Sequence, residues 1–380
     1  MKPIKRTLSL LMVPAMLLGL AACAKAPSQQ PTEAQTVATE PETTVSATDS
    51  LFENMTLEEK VGQLFYMCYP DANYADTIKQ YHLGGLVLFG AHFEDKTADD
   101  IRQQIQAYQR SAEKVALLIG VDEEGGDVVR VSSNPNVRSE AFWSPKETYQ
   151  NGGWDAVTAA ETEKAELLLS LGINVNNAPV CDVTSNEESF IYSRSFSGDV
   201  NDVCTYVTKT VGICRDKKLG TVLKHFPGYG DNTDTHENMA YDEKPYEDFL
   251  QSDFLPFEAG IEAGADAVMV AHNIVTSMDA DVPASLSARV HQILRDELHF
   301  DGVIMTDDLS MEAITQYTGS DAAAVAAVKC GNDLLCCTDV ATQVPAVLKA
   351  VQSGEISEEQ INASVKRILR WKEHLGLFKS

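Results

Sequence analysis

From residue 50 onward, short apolar runs alternate with longer polar or amphipathic segments, and the alternation repeats eight times. The runs are Gln63–Cys68, Gly84–Gly90, Val115–Val121, Ile173–Asn176, Thr221–His225, Ala267–Val270, Gly302–Met305 and Asp333–Leu335. Their apolar stretches are continuous rather than alternating, so each reads as a strand buried on both faces. The intervals read as helices. Thr56 followed by Glu59 predicts a capping box for a helix that includes Val61 and Leu64. Further helices are expected up to about Ala112, over about 155–171, 202–217, 247–263, 287–298 and 311–329, with two more closing at Leu375. Strands joined by helices run parallel, and eight such units favour an α/β fold of the single (β/α)8 TIM type over an open doubly wound sheet. No Gly-x-Gly-x-x-Gly follows the first strand, which weakens a dinucleotide-binding alternative.

A barrel gathers its chemistry where the strands end. Here the third strand ends at Asp122, the fourth near Asn177 and Asp182, and the fifth at Lys224-His225. The sixth ends at His272-Asn273 and the seventh at Thr306-Asp307-Asp308. Beyond Lys224-His225 the chain breaks at Pro227 into a Gly-rich loop carrying Asp231, Asp234 and His236. A carboxylate fixed directly after a strand, as Asp307 is, can act as a nucleophile at an electrophilic carbon, leaving Asp308 to cap the helix near Met311. His236 is a candidate general acid, with Asp234 two residues away to orient its ring. Spacing alone also fits plain turns and solvated loop residues.

The chain has 380 residues, 44% hydrophobic, and can bury a large core. Its formal charge of −26 repels phosphate backbones, so no nucleic-acid partner is expected. Of eight cysteines, Cys23 stands apart; the remaining odd set of seven lacks C-x-x-C spacing, which speaks against a zinc site or a disulfide framework. No metal or organic cofactor is implied.

Residues 1–22 read as an export signal: Lys2, Lys5 and Arg6 precede an apolar Leu8–Leu20 segment too short to span a membrane. Leu20-Ala21-Ala22-Cys23 resembles a bacterial lipobox, implying cleavage before Cys23 and lipidation of that residue. Residues 23–49, rich in Gln, Thr, Ser, Pro and Glu, read as a lipidated disordered tether, and 50–380 as the folded barrel. The expected location is the extracytoplasmic face of a membrane, held through lipid alone.

Five motifs, in order, carry a family resemblance. They are Ile119-Gly120-Val121-Asp122-Glu123-Glu124-Gly125-Gly126, Asn174-Val175-Asn176-Asn177-Ala178-Pro179-Val180, Lys224-His225-Phe226-Pro227-Gly228, Asp234-Thr235-His236, and Ile304-Met305-Thr306-Asp307-Asp308-Leu309-Ser310-Met311. Together they resemble glycoside hydrolase family 3, in its β-N-acetylglucosaminidase (β-hexosaminidase) branch, from about Met55 to Phe378. The resemblance implies a retaining exo-β-N-acetylglucosaminidase acting on peptidoglycan fragments or other glycans. It implies Asp307 as the nucleophile and His236, paired with Asp234, as the acid/base. Asp122, Arg130, Arg194, Lys224 and His225 would hold the non-reducing N-acetylglucosamine.

There are two departures. Many relatives carry histidine where Tyr229 stands, and their loop before the Asp-x-His is usually one residue longer. The family's β-glucosidases generally draw their acid/base from a second domain; with the sequence ending at Ser380, it is expected inside the barrel, at His236. Two alternatives stay open. A histidine in place of a second carboxylate would let inorganic phosphate approach, which suits a β-N-acetylglucosaminide phosphorylase. A non-enzymatic sugar-binding lipoprotein would have no use for Asp307 together with Asp234-Thr235-His236.

Overall fold

The computed structural model describes residues 47–68, 73–230, 240–318 and 320–378. Cys23, Asp234 and His236 lie outside the described residues, as do the expected signal and nearly all of the tether. Among the described residues the first helix is Ala47–Glu53, which spans the expected start of the folded part at Ser50. Phe52 holds that helix to the core, and Thr48 donates to the Glu373 carboxylate.

Eight strands form the barrel. In chain order they are β1 (Phe65–Cys68), β2 (Gly85–Leu88), β3 (Leu118–Val121), β4 (Val175–Asn176), β5 (Gly220–Phe226), β6 (Ala267–Val270), β7 (Val303–Thr306) and β8 (Leu335–Cys337). Each pairs in parallel with the next, β8 pairs with β1, and a parallel bridge between Met305 and Leu334 joins β7 to β8. The order is that of a TIM-type (β/α)8 barrel, with every strand residue buried.

The barrel interior explains one glycine. A Cβ at Gly120 on β3 would lie 1.6 Å from the phenolic oxygen of Tyr66, which points inward from β1. No other residue fits there.

The outer helices start where local chemistry dictates. Thr56 and Glu59 form the expected capping box, each side chain bonded to the other's backbone N–H. Ser144 and Glu147 form a second one ahead of Pro145, so that helix starts ten residues before the expected 155 and runs Pro145–Leu171. Gly153, at φ 65° and ψ −160°, breaks it into two helices end to end. Three other expectations change similarly. The 247–263 helix divides into Tyr246–Gln251 and Phe254–Ala263, and 311–329 divides into Glu312–Thr318 and Ser320–Cys330. The last strand is Leu335–Cys337 rather than Asp333–Leu335; the N–H groups of Asp333 and Leu334 instead share the Ile304 carbonyl, and the Asp333 carboxylate accepts from Arg295, Arg367 and the Ile304 N–H.

Candidate active site

At the C-terminal ends of the strands lies a cavity of about 530 Å³, and all eight strands or their following loops contribute to its lining. The expected residues Asp122, Arg130, Arg194, Lys224, His225 and Asp307 all line it. Scattered along the sequence from Asp122 to Asp307, they are brought together by barrel closure alone.

On one side the cavity wall is a charge network. The Lys224 ammonium lies 2.8 Å from Asp122 Oδ1 and 2.6 Å from Glu124 Oε1. Arg194 grips Glu124 at two points, Nε at 2.9 Å and Nη2 at 2.8 Å. Arg194 Nη2 also lies 3.1 Å from His225 Nε2. A guanidinium only donates, so that nitrogen of His225 accepts, and Nδ1–H donates to Asp182 Oδ2 at 2.8 Å. Asp182 further accepts the N–H groups of His225 and Tyr229, at 3.1 and 2.7 Å. The chain Asp182–His225–Arg194–Glu124–Lys224–Asp122 is continuous.

Burial pushes the Glu124 carboxyl upward, but Arg194 and Lys224 outweigh it and hold the group well below the usual carboxylate range. Asp182 is lowered in the same way, burial being overcome by His225 and by the N–H of Tyr229. Lys224 is raised: burial pulls it down, and Asp122 and Glu124 more than restore its charge. Glu124, Asp182 and Lys224 are therefore held in their charged forms by their neighbours before any ligand arrives.

Glu124 and Asp182 are the residues that the sequence reading left without a role. Glu124 follows Asp122 in an Asp-Glu-Glu run, and the three carboxylates divide the work. Glu123 turns away from the cavity and accepts the N–H groups of Arg130, Val131 and Ser132 at 2.8, 2.7 and 3.1 Å, pinning the loop that carries Arg130. Arg130 Nε and Asn177 Oδ1 are buried without a hydrogen-bond partner among the described residues, and both side chains line the cavity.

In the same cavity, Asp307 follows β7. Its N–H donates to Val270 O at 3.1 Å, and its Oδ1 accepts the Asp308 N–H at 2.8 Å. Asp308 also lines the cavity, and its Oδ1 takes the Ser310 N–H at 2.9 Å. It closes a turn ahead of the helix that starts at Glu312. Tyr229 is buried, with its ring edge-on to Phe190 (4.8 Å) and His225 (5.0 Å). The Ala240 carbonyl takes the Ile274 N–H, and Tyr241–Asp242 pairs with Ile274–Val275. All seven cysteines after Cys23 are unbridged.

A barrel mouth with a carboxylate fixed after one strand and preset charged donors and acceptors around it defines an enzyme site for a polyhydroxylated substrate. The family model "Glycosyl hydrolase family 3 N terminal domain" matches residues 56–371, and the chain belongs to that family. A beta-hexosaminidase of Xanthomonas campestris pv. campestris is 34% identical over 242 residues, 63% of this chain and 72% of the relative. The beta-hexosaminidase LpqI of Mycobacterium tuberculosis is 30% identical over 326 residues, 83% of this chain and 82% of the relative. Among solved structures, a family 3 beta-N-acetylglucosaminidase from Paenibacillus superposes with a TM-score of 0.80 at 31% identity. That match covers 86% of this chain but only 64% of the Paenibacillus chain. The M. tuberculosis LpqI structure gives a TM-score of 0.75 at 29% identity, covering 84% of this chain and 94% of that one.

Proposed function

We propose that the chain is a retaining exo-β-N-acetylglucosaminidase. The observation that carries this reading is the placement of the Asp307 carboxylate in the same cavity as the Asp122–Lys224–Glu124–Arg194 network. In the proposed reaction an Asp307 oxygen bonds to the anomeric carbon as the bond to the leaving oxygen breaks, and that oxygen takes a proton from His236. Water then attacks the glycosyl–enzyme ester, giving its proton to His236 and freeing Asp307. Asp234 orients the histidine in this reading. The names of the relatives, beta-hexosaminidase and beta-N-acetylglucosaminidase, support N-acetylglucosamine as the sugar.

The network supplies the binding. Lys224 and Asp122 sit side by side as donor and acceptor, a pairing suited to vicinal hydroxyls. Because Glu124 already fixes Lys224 and Arg194, little ordering is left to the moment of binding. Substrates on this reading are glycans ending in N-acetylglucosamine, peptidoglycan fragments among them. The Lys-Arg-rich start and Cys23 support export and a lipid anchor.

The test is release of 4-nitrophenol from 4-nitrophenyl N-acetyl-β-D-glucosaminide. Asp307→Ala should abolish it with the fold intact, and a fully active variant overturns the assignment. Running the reaction with inorganic phosphate decides the cleavage type: hydrolysis gives free sugar at a phosphate-independent rate, whereas a sugar 1-phosphate product would identify a phosphorylase. Labelling with radioactive palmitate in a bacterial host should be lost in Cys23→Ala.

A further inference from the structure

His272 follows β6 and is fully buried, with both of its ring nitrogens engaged. Nε2 lies 2.9 Å from the Asp308 carbonyl oxygen and Nδ1 lies 2.7 Å from Ser285 Oγ. A carbonyl only accepts, so Nε2–H donates to Asp308; in the neutral ring, Nδ1 then accepts the Ser285 hydroxyl. Ser285 is itself fixed: its N–H donates to Ala271 O at 2.9 Å, and its carbonyl takes Asn332 Nδ2 at 2.7 Å.

We infer that His272 is a positioning residue for Asp307, acting through the Asp308 backbone; the inference rests on the nucleophile assignment above. The end of β6 holds the Asp307–Asp308 segment from both sides. Val270 O takes the Asp307 N–H, and His272 holds the Asp308 carbonyl. Between these two anchors, the Asp308 N–H is aimed at Asp307 Oδ1 at 2.8 Å. Rotation of Asp308 would withdraw that hydrogen bond and let the carboxylate drift from the anomeric carbon. The neighbouring Asn273 sends Nδ2 to Gly228 O at 3.2 Å, so this short segment also braces the loop after β5. A misplacement of about 1 Å at a reacting group costs on the order of 100-fold in rate.

The experiment compares His272→Ala, His272→Gln and Ser285→Ala with the unaltered protein on the chromogenic glycoside. His272→Ala should lower kcat on the order of 100-fold while KM stays within about threefold, since the lost interaction serves the transition state and not sugar binding. The Gln side chain can still donate to Asp308 O and should recover about tenfold or more of the lost kcat. Ser285→Ala should lower kcat in the same direction by a smaller factor. Unchanged kcat in a folded His272→Ala, a rise confined to KM, or no recovery with Gln overturns the inference. Should His272→Ala fail to fold, the other two variants decide: a kcat lowered in both with KM within about threefold supports the role, and a kcat unchanged in either, or an effect confined to KM, refutes it. Failure of the underlying assignment looks different, because Asp307→Ala would then retain full turnover.

Discussion

Arg194 and Glu124 face each other as a two-point ion pair, with nitrogen–oxygen distances of 2.9 and 2.8 Å, and the same carboxylate also receives Lys224 at 2.6 Å. Two cations thus depend on one buried anion. Removing one partner of a buried pair costs more than the pair contributes, because the other charge is left uncompensated. Glu124→Gln should therefore lower unfolding stability by about 3 kcal/mol, measured by urea denaturation, and raise KM as Lys224 and Arg194 lose their fixed geometry. A variant with unchanged stability and KM would show that the network is not held by this carboxylate.

The same network sets the acid limit of stability. Glu124 and Asp182 both titrate below their ordinary range in the folded protein, so the unfolded chain binds more protons as acid is added. Their stabilisation is fully present above the unfolded carboxylate pKa of about 4 and is lost as pH falls through the depressed folded values. Denaturation midpoints should fall steeply below about pH 4, and Asp182→Asn should flatten that limb. An equally steep limb in the variant would locate the acid sensitivity elsewhere.

Much of the fold was legible because it depends on local pattern. Continuous apolar runs mark the strands, and the residues that close each run, such as Asp122, Lys224 and Asp307, mark the rim. The roles of Glu124 and Asp182 were not legible, since a carboxylate's work depends on what stands opposite it. Arg194 lies 70 positions from Glu124, and His225 lies 43 from Asp182. The early start at Pro145 is a different kind of miss: the Ser144–Glu147 capping box was present in the sequence as a signal. The split near Gly153 comes from a left-handed φ that no periodicity reveals.

Lys372 provides a test at alkaline pH. It is fully buried, its ammonium donates to Gln63 Oε1 at 2.7 Å, and burial pushes its pKa down to about 7. A lysine depressed on folding gives up its proton more readily when folded, so stability rises with pH between about 7 and the unfolded value of about 10.4. Thermal midpoints should climb across that window, and Lys372→Met should remove the climb while being more stable than the unaltered protein at pH 7. A flat profile in the unaltered protein would mean that Lys372 keeps its ordinary proton affinity.

The contact between Gly120 and Tyr66 yields a paired prediction. An added Cβ at residue 120 would meet Tyr66 Oη at 1.6 Å and Cζ at 2.7 Å, and neither β1 nor β3 can move away inside a closed barrel. Gly120→Ala should cost about 3 kcal/mol or more through overpacking. Tyr66 Oη is buried with no hydrogen-bond partner among the described residues, so Tyr66→Phe alone should leave stability unchanged or raise it. Joined to Gly120→Ala, Tyr66→Phe removes the nearer clash but leaves the ring carbon at 2.7 Å, so it should restore part of the loss and no more. Urea unfolding of both single variants and the double variant closes the cycle. Strict additivity would mean that the two residues do not meet and that glycine is required at position 120 for another reason.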